Sequence, residues 1–224
     1  MERAIRFLAP VNNQSTDHLF SAIDNLLAQG TTKIRLLLST PGGSVFHGLS
    51  IHNYLKGLPV AVDTYNFGSV DSIGVVIFSA GQRRYTVPHS RFLIHSVKFN
   101  LNGNITMDEK QLEEYLKSLQ IDQKNIAKVI ADITGKTLED VDADMNNRTT
   151  LSPPEAQQYG LVHEIKNELL TSTMQVVTIG EPIQGQPYAL KQFAVPNIQA
   201  VSEPNVETFT DNISVMMTTY ERQK

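Results

Sequence analysis

The apolar residues of this chain alternate between short continuous runs and longer stretches with helical spacing. Continuous runs are typical of strands buried on both faces of a parallel sheet, and they occupy 5–8, 33–39, 59–65, 85–87 and 91–94. Apolar residues three and four positions apart predict one helix that ends before Gly30 and others that occupy 44–56, 72–80 and 106–133. Strands that alternate with helices predict an α/β fold with right-handed connections.

Polar residues at the edges of these stretches predict where individual helices begin. Residues 12–15 read as a polar turn, so Thr16 or Asp17 is expected to cap the first helix. Thr137 opens a short helix, and residues 152–155 form a capping box with proline in the first turn of another.

The composition and the apolar periodicity of the sequence change near residue 167. Proline and glycine become frequent beyond this point, and the helical periodicity fades. We therefore expect a main domain over 1–166, and an extended arm or small addition over 167–224 rather than a second core.

Composition narrows the classes of function. The formal net charge is −4, so no basic surface is indicated for nucleic acid. The absence of cysteine excludes disulfides, thiolate metal sites and a cysteine nucleophile. No apolar run approaches the ~20 residues of a membrane-spanning helix, and the first residues lack the apolar core of a signal peptide. The expectation is a cytoplasmic protein with no membrane partner, no cofactor and no metal.

A glycine-bracketed serine in the sequence GSVDSIG is the strongest candidate for chemistry. Ser72 follows a strand and precedes a helix, so its hydroxyl is expected at the carboxyl edge of the sheet. The backbone N–H of Ile73 would then be free to stabilise an oxyanion, and Gly43 ends a second turn of the same kind. His95 closes a predicted strand and is the candidate base. Taken alone, a serine beside glycine or a histidine after a strand more often has a purely structural role.

The order of the motifs gives this set more weight. The chain carries TPGG, then GSVDSIG, then SRFLIH, and later LSPPEAQQYGLVHEI. This series resembles the Clp protease proteolytic subunit family, over about residues 3–165. The resemblance implies a ClpP/crotonase-like fold of repeated β-β-α units with a protruding handle at about 97–133. It also implies a serine peptidase that acts on peptides or unfolded proteins inside a homo-oligomer of stacked heptameric rings.

The same resemblance assigns roles to individual residues. Ser72 matches the family's nucleophile and His95 its general base. Gly43 and Ile73 match the two backbone donors of the oxyanion hole. A pocket for the substrate side chain is expected near Val70, Phe99 and Leu101, all of which are apolar.

The sequence departs from the family pattern at the third member of the catalytic triad. The family has an acid where this chain has Arg148, and an arginine cannot orient or stabilise a protonated histidine. We expect Asn147 to take this role, with Asn146 or Asp144 as alternatives. A further alternative is a Ser–His dyad that is weakly active or inactive.

Two further departures affect the expected mechanism and partners. Asp71 stands where the family has a small residue, and we interpret it as a turn or subunit contact rather than a triad member. The chain begins close to its first strand, so coupling to an AAA+ ATPase is expected to be absent or weakened. The alternatives to a peptidase are a structural or regulatory subunit that has lost activity and, more remotely, a crotonase-type acyl-CoA enzyme.

Overall fold

The computed structural model describes residues 1–98, 106–180 and 191–194. Its strands are, in chain order, β1 (Glu2–Leu8), β2 (Lys33–Thr40), β3 (Ala61–Asp71), β4 (Arg84–Thr86), β5 (Arg91–Leu93), β6 (Thr150–Leu151), β7 (Glu164–Ile165), β8 (Gln175–Gly180) and β9 (Lys191–Ala194). Its helices are α1 (Asn13–Ala28), α2 (Val45–Gly57), α3 (Ile73–Ser79), α4 (Glu109–Thr134), α5 (Leu138–Asn146) and α6 (Pro153–Gln158).

The strands of the described residues form a single sheet with the order β6-β5-β3-β2-β1-β8-β9. Strands β1, β2, β3 and β8 are parallel, and β4 and β5 both pair in parallel with β3. The connections β1-α1-β2 and β2-α2-β3 are the crossover units expected of an α/β fold. Because the strands are parallel, the carboxyl ends of β1, β2 and β3 meet at one edge of the sheet.

The main core lies between this sheet and the helices that cover it. Side chains from β1, α3 and β5 are completely buried there, among them Phe7, Phe78 and Phe92. Phe78 and Phe92 meet edge to face, with ring centroids 5.0 Å apart. Each such side chain contributes about 1.5–3 kcal/mol of burial, so this cluster holds the helix behind the serine turn rigidly.

The first helix begins earlier than the sequence predicts. Its N-cap is Asn12, whose side chain accepts a hydrogen bond from the Ser15 N–H, while Ser15 Oγ accepts one from the Asn12 N–H. Thr16 lies inside the helix, where its hydroxyl donates to the Asn12 carbonyl. The prediction of Thr16 or Asp17 as the cap is therefore wrong, because a reciprocal asparagine–serine box satisfies the helix end upstream.

Strand β3 extends beyond its predicted end at residue 65 and continues to Asp71. The glycine at position 68 does not end the strand, since β3 changes partner from β4 to β5 on either side of it. The helix α4 begins at Glu109 with Asp108 as its cap, a few residues after the predicted start. The predicted caps at Thr137 and Ser152 are confirmed.

The described part of the extension over 167–224 joins the same sheet. Strand β8 pairs with β1, which would otherwise be an edge strand, and β9 pairs with β8. The segment before β8 crosses one face of the sheet, where Leu169 and Leu170 pack against Tyr65 and Tyr85. The division of the chain at residue 167 stays a prediction, and its described part is an addition of two strands to the sheet.

The first turns of α4 carry several large apolar side chains that are exposed to solvent. Leu112, Tyr115 and Leu116 are all exposed, Leu112 by 61%. The last turns of the same helix pack into the core through Ile126 and Ile130. The helix therefore projects from the sheet as the predicted handle requires, although residues 99–105 of the predicted handle lie outside the described residues. None of the helices described is long and apolar enough to cross a membrane.

Candidate active site

Ser72 occupies a sharp turn between strand β3 and helix α3. Its backbone has φ 59° and ψ −129°, a conformation that residues with a side chain rarely adopt. The turn is held because Ser72 N–H donates to the carbonyl of Leu93 at 2.8 Å, and α3 is buried behind it. Such a strained residue costs about 1–3 kcal/mol and is found where function requires it, as at the nucleophile elbow of hydrolases.

The turn at Gly42 and Gly43 lies directly against Ser72. A methyl group added at Gly42 would lie only 2.7 Å from Ser72 Cβ and 3.3 Å from the Ile73 nitrogen. Both glycines have positive φ, at 86° and 148°. Val11 holds the turn from the other side, because its N–H donates to the Gly42 carbonyl and its carbonyl accepts from the Ser44 N–H. Only glycine allows the two turns to approach so closely.

Three polar groups at this junction have no hydrogen-bond partner among the described residues. Within the described part of the chain, the N–H groups of Gly43 and Ile73 donate to no acceptor. The hydroxyl of Ser72 makes no hydrogen bond among those residues either, and its side chain is half-buried. An unbonded hydroxyl beside free backbone N–H groups is the arrangement that acyl transfer uses. The roles of Ser72, Gly43 and Ile73 stay predictions that this geometry supports.

His95 lies near Ser72 through the pairing of β3 with β5. Asp71 pairs with Leu93, and His95 is two residues further along, which is about 7 Å of extended chain. The ring nitrogen Nδ1 lies 2.7 Å from the Ser96 carbonyl oxygen. Across the described residues, no hydrogen bond joins His95 to the Ser72 hydroxyl. In enzymes without substrate this bond is often long, so its absence leaves His95 as the predicted base.

The candidates for a third triad member follow helix α5. Asn147, the residue predicted for this role, caps the end of α5 and is exposed; its N–H donates to Ala143, and its side chain makes no hydrogen bond to His95. Arg148 is also exposed and has φ 55°. The assignment of Asn147 therefore stays a prediction without a supporting contact.

The two alternatives to Asn147 are engaged elsewhere. Asp144 accepts a hydrogen bond from the Tyr159 hydroxyl at 2.7 Å and lies 3.8 Å from the Lys136 ammonium. Asn146 accepts a hydrogen bond from Ser96 Oγ at 2.7 Å. Asn146 therefore contacts the residue next to His95, but not the imidazole itself.

Asp71 forms an ion pair that the sequence did not reveal. Its carboxylate is nearly buried and accepts hydrogen bonds from both terminal nitrogens of Arg91, at 3.1 and 2.9 Å. Ser69 Oγ donates to the same carboxylate at 2.7 Å. This two-point contact joins β3 to β5 directly before the serine. The interpretation of Asp71 as a structural contact in the turn agrees with these bonds.

A cleft of about 520 Å³ opens beside this ion pair, at the carboxyl ends of the central strands. Its walls include Leu8, Pro10, Thr40 and Pro41, and Asp71 and Arg91 also line it. Val70, predicted for the substrate pocket, is completely buried, and Phe99 and Leu101 lie outside the described residues. The substrate pocket predicted from those three residues therefore stays a prediction.

Three further histidines, His52, His163 and His47, have structural contacts. His52 is buried between α2 and α3 with Nδ1 2.8 Å from the Val76 carbonyl, and burial lowers its pKa. His163 accepts a hydrogen bond from the Arg84 N–H, and burial together with the nearby arginines lowers its pKa. His47 contacts its neighbour Ser44. Across the described residues, no group of three or more acidic, histidine or cysteine side chains is arranged to hold a metal.

Comparison with known proteins places this geometry in a family. Residues 1–168 match the family model described as Clp protease. The ATP-dependent Clp protease proteolytic subunit 3 of Rhizobium etli is 32% identical over 165 residues, which cover 73% of this chain and 83% of the relative. The corresponding subunit 2 of Corynebacterium efficiens is 30% identical over 167 residues, with 73% and 82% covered.

A solved structure is similar over the same region. A mutant of ClpP1 from Listeria monocytogenes superposes with a TM-score of 0.66 at 25% identity, over 74% of this chain and 92% of that one. The fold class predicted from the sequence is therefore confirmed. With a family match that spans strands β1 to β7, the serine turn and the motifs around it, this chain belongs to the Clp protease family.

Proposed function

We propose that this chain is a serine peptidase that hydrolyses peptide bonds in short peptides or unfolded proteins. Ser72 Oγ attacks the scissile carbonyl carbon, and His95 Nε2 accepts the hydroxyl proton. The N–H groups of Gly43 and Ile73 donate to the oxyanion that forms. His95 then gives the proton to the leaving amine. In the second half of the reaction His95 activates a water molecule, which hydrolyses the acyl-enzyme and restores Ser72.

The observation that carries this proposal is the backbone of Ser72. A serine with φ 59° costs stability, and the surrounding turns preserve it by packing Gly42 against its Cβ. A serine with only a structural role would gain nothing from this conformation. The two unoccupied N–H groups beside it supply what the strained hydroxyl needs for acyl transfer.

A fluorophosphonate probe tests the proposal directly, because it reacts with an activated serine. We expect Ser72 to be labelled, with the modified peptide identified by mass spectrometry, and Ser72→Ala to remove all labelling. His95→Ala should slow labelling by about 10²–10⁴-fold, the usual range for loss of a general base. His89→Ala is the matched control, since His89 lies on an exposed turn six residues away. Equal labelling of the His95 and His89 variants would reject the assigned base.

A second candidate function is a structural or regulatory subunit without activity. The observation that favours it is Arg148, which stands in the position of the acid and leaves His95 without a carboxylate partner among the described residues. The same probe separates the two functions. A folded, assembled chain that shows no labelling of Ser72 at any pH between 6 and 9 would support this alternative.

Assembly and partners form the second part of the proposal. We propose a homo-oligomer of rings, with seven subunits as the first hypothesis, because the exposed side chains of Leu112 and Leu116 on α4 would be covered by a partner subunit. Analytical ultracentrifugation gives the subunit number, and Leu112→Glu should release smaller species. Weak or absent coupling to an ATPase and a cytoplasmic location stay predictions. Degradation of an unfolded protein with and without ATP and the ATPase tests the first of them.

A further inference from the structure

The contact of His95 with the backbone fixes which nitrogen of its ring carries the proton. A carbonyl oxygen only accepts hydrogen bonds, so the short contact of Nδ1 with the Ser96 carbonyl requires a proton on Nδ1. The neutral ring then has its lone pair on Nε2. This is the form that can take a proton from a serine hydroxyl, and in a triad the acid is what selects it. A backbone oxygen supplies that selection here.

A carbonyl next to the histidine in sequence can hold the ring only if its own peptide is fixed. The N–H groups on both sides of the Ser96 carbonyl are bound. Ser96 N–H donates to the Met145 carbonyl at 3.0 Å, and Val97 N–H donates to Gln123 Oε1 at 2.9 Å. The peptide plane after Ser96 is therefore held through the Gln123 side chain, because the Val97 N–H belongs to the same peptide unit as the Ser96 carbonyl.

The side chain of Gln123 is itself held in place by a network of hydrogen bonds. Its Nε2 donates to Asp142 Oδ1 at 2.8 Å, and Asn146 Nδ2 donates to Asp142 Oδ2 at 3.1 Å. Asn146 Oδ1 in turn accepts from Ser96 Oγ at 2.7 Å. Because Asp142 accepts from both amide groups, it turns their oxygen atoms toward Ser96 and Val97. The network therefore ends at Ser96 and Val97, the two residues that follow His95.

We propose that Gln123 is a positioning residue for His95, acting through the peptide that joins Ser96 to Val97. This inference rests on the proposed function, in which His95 is the base. Gln123 fixes that peptide, the Ser96 carbonyl holds the proton on Nδ1, and Nε2 is left to receive the proton of Ser72. This hydrogen-bond network performs the orienting task that falls to the acid in a catalytic triad, and His95 forms no ion pair among the described residues.

The test uses two readouts on the full chain. The first is the rate of Ser72 labelling by the fluorophosphonate as a function of pH. The second is the ¹⁵N spectrum of the histidine rings, in which His95 is assigned by its loss in His95→Gln. We expect Gln123→Ala to slow labelling by about 10–10²-fold, the range for a misplaced reacting group, and to change its pH profile. The His95 signal should change from a single Nδ1–H form to a mixture. Gln120→Ala, on the exposed face of the same helix, should match the original chain.

A second pair of variants guards against simple loss of folding. Asn146→Ala removes a member of the network, whereas Asn147→Ala changes the exposed neighbour. We expect the larger loss of labelling in Asn146→Ala. A larger loss in Asn147→Ala, or a Gln123→Ala variant with the original rate and ¹⁵N spectrum, overturns the inference.

The two readouts also separate this inference from the proposed function. The ¹⁵N spectrum reports the proton on His95 whether or not Ser72 reacts. If the original chain is not labelled, yet His95 has the Nδ1–H form and loses it in Gln123→Ala, the proposed function fails and the positioning role stands. If labelling depends on Ser72 and His95 but not on Gln123, the proposed function stands and the positioning role fails.

Discussion

Replacing Ser72 by glycine should stabilise the fold while it ends the reaction with the probe. Residues with a side chain cost about 1–3 kcal/mol in the backbone conformation of Ser72, and glycine adopts it freely. Glycine also raises the conformational entropy of the unfolded chain, which lowers stability by about 0.5–1 kcal/mol and opposes the gain. Loss of the hydroxyl costs little, because it makes no hydrogen bond among the described residues. The expected net effect is a gain of about 0–2.5 kcal/mol.

Ser72→Ala is the matched control for this change. It removes the hydroxyl but keeps Cβ, so it keeps the strain and should be close to neutral in stability. Urea unfolding at one fixed protein concentration measures both variants, and Tm should rise by about 2–4 °C for each kcal/mol that Ser72→Gly gains. If Ser72→Gly is no more stable than Ser72→Ala, the strain assigned to this turn is absent. The argument that function maintains it would then fail.

Two further predictions concern the packing behind the site. Gly42→Ala should destabilise the fold by about 2–5 kcal/mol, because the added Cβ would lie 2.7 Å from both Ser72 Cβ and the Asp71 carbonyl oxygen. Gly30→Ala is the control, since Gly30 has a similar φ and nothing within 4 Å of the added Cβ, and it should cost about 1–2 kcal/mol. Urea unfolding measures both. His52 should make stability depend on pH: burial lowers its folded pKa below the unfolded value of about 6.5, so the stability that the neutral ring supports is full above that pH and is lost as pH falls toward the folded pKa. The free energy of unfolding, measured with urea between pH 5 and 8, should depend less on pH in His52→Gln than in the original chain. An unchanged pH dependence would contradict the assignment.

The sequence predicted the sheet and the serine turn because their signals are local. Continuous apolar runs and helical spacing mark the alternating strands and helices, and the glycines at positions 42 and 43 are required by positive φ. The same local reasoning ended β3 too early. It took Gly68 as the start of a turn, whereas the pairing with β5 continues the strand to Asp71. Propensity within a strand cannot report a partner that lies further along the chain.

No sequence pattern near Gln123 or Asp142 predicts the hydrogen-bond network that lies beside His95. Gln123 lies on the helix that the sequence predicted as a handle, and nothing in its neighbourhood marks it as different from Gln120. Its partners Asp142 and Val97 are far away in sequence and come together only when α4, α5 and the segment after β5 pack. The pairing of Asp71 with Arg91 was missed for the same reason. Site residues of this kind are found only from the folded chain.

Position 148 offers the sharpest test of how His95 is oriented. Its neighbour Thr149 accepts a hydrogen bond from the Ile94 N–H at 2.8 Å, so the backbone at 148 runs close to the histidine. Arg148 has φ 55°, a conformation that aspartate and asparagine adopt more readily than other residues with side chains. Arg148→Asp and Arg148→Asn are therefore matched in backbone and size, and they differ in the negative charge.

We expect Arg148→Asp to be labelled about 10–10²-fold faster than Arg148→Asn. A carboxylate near the ring stabilises the imidazolium that forms as His95 takes the serine proton, and each ~1.4 kcal/mol of such stabilisation is a tenfold change in rate. The gain is no larger because the Ser96 carbonyl already selects the reactive form of His95. Equal rates in the two variants would mean that position 148 does not face the ring. A gain near 10⁴ would mean that the neutral ring of His95 in the original chain carries its proton on Nε2 instead of Nδ1. The role assigned to the Ser96 carbonyl would then be rejected.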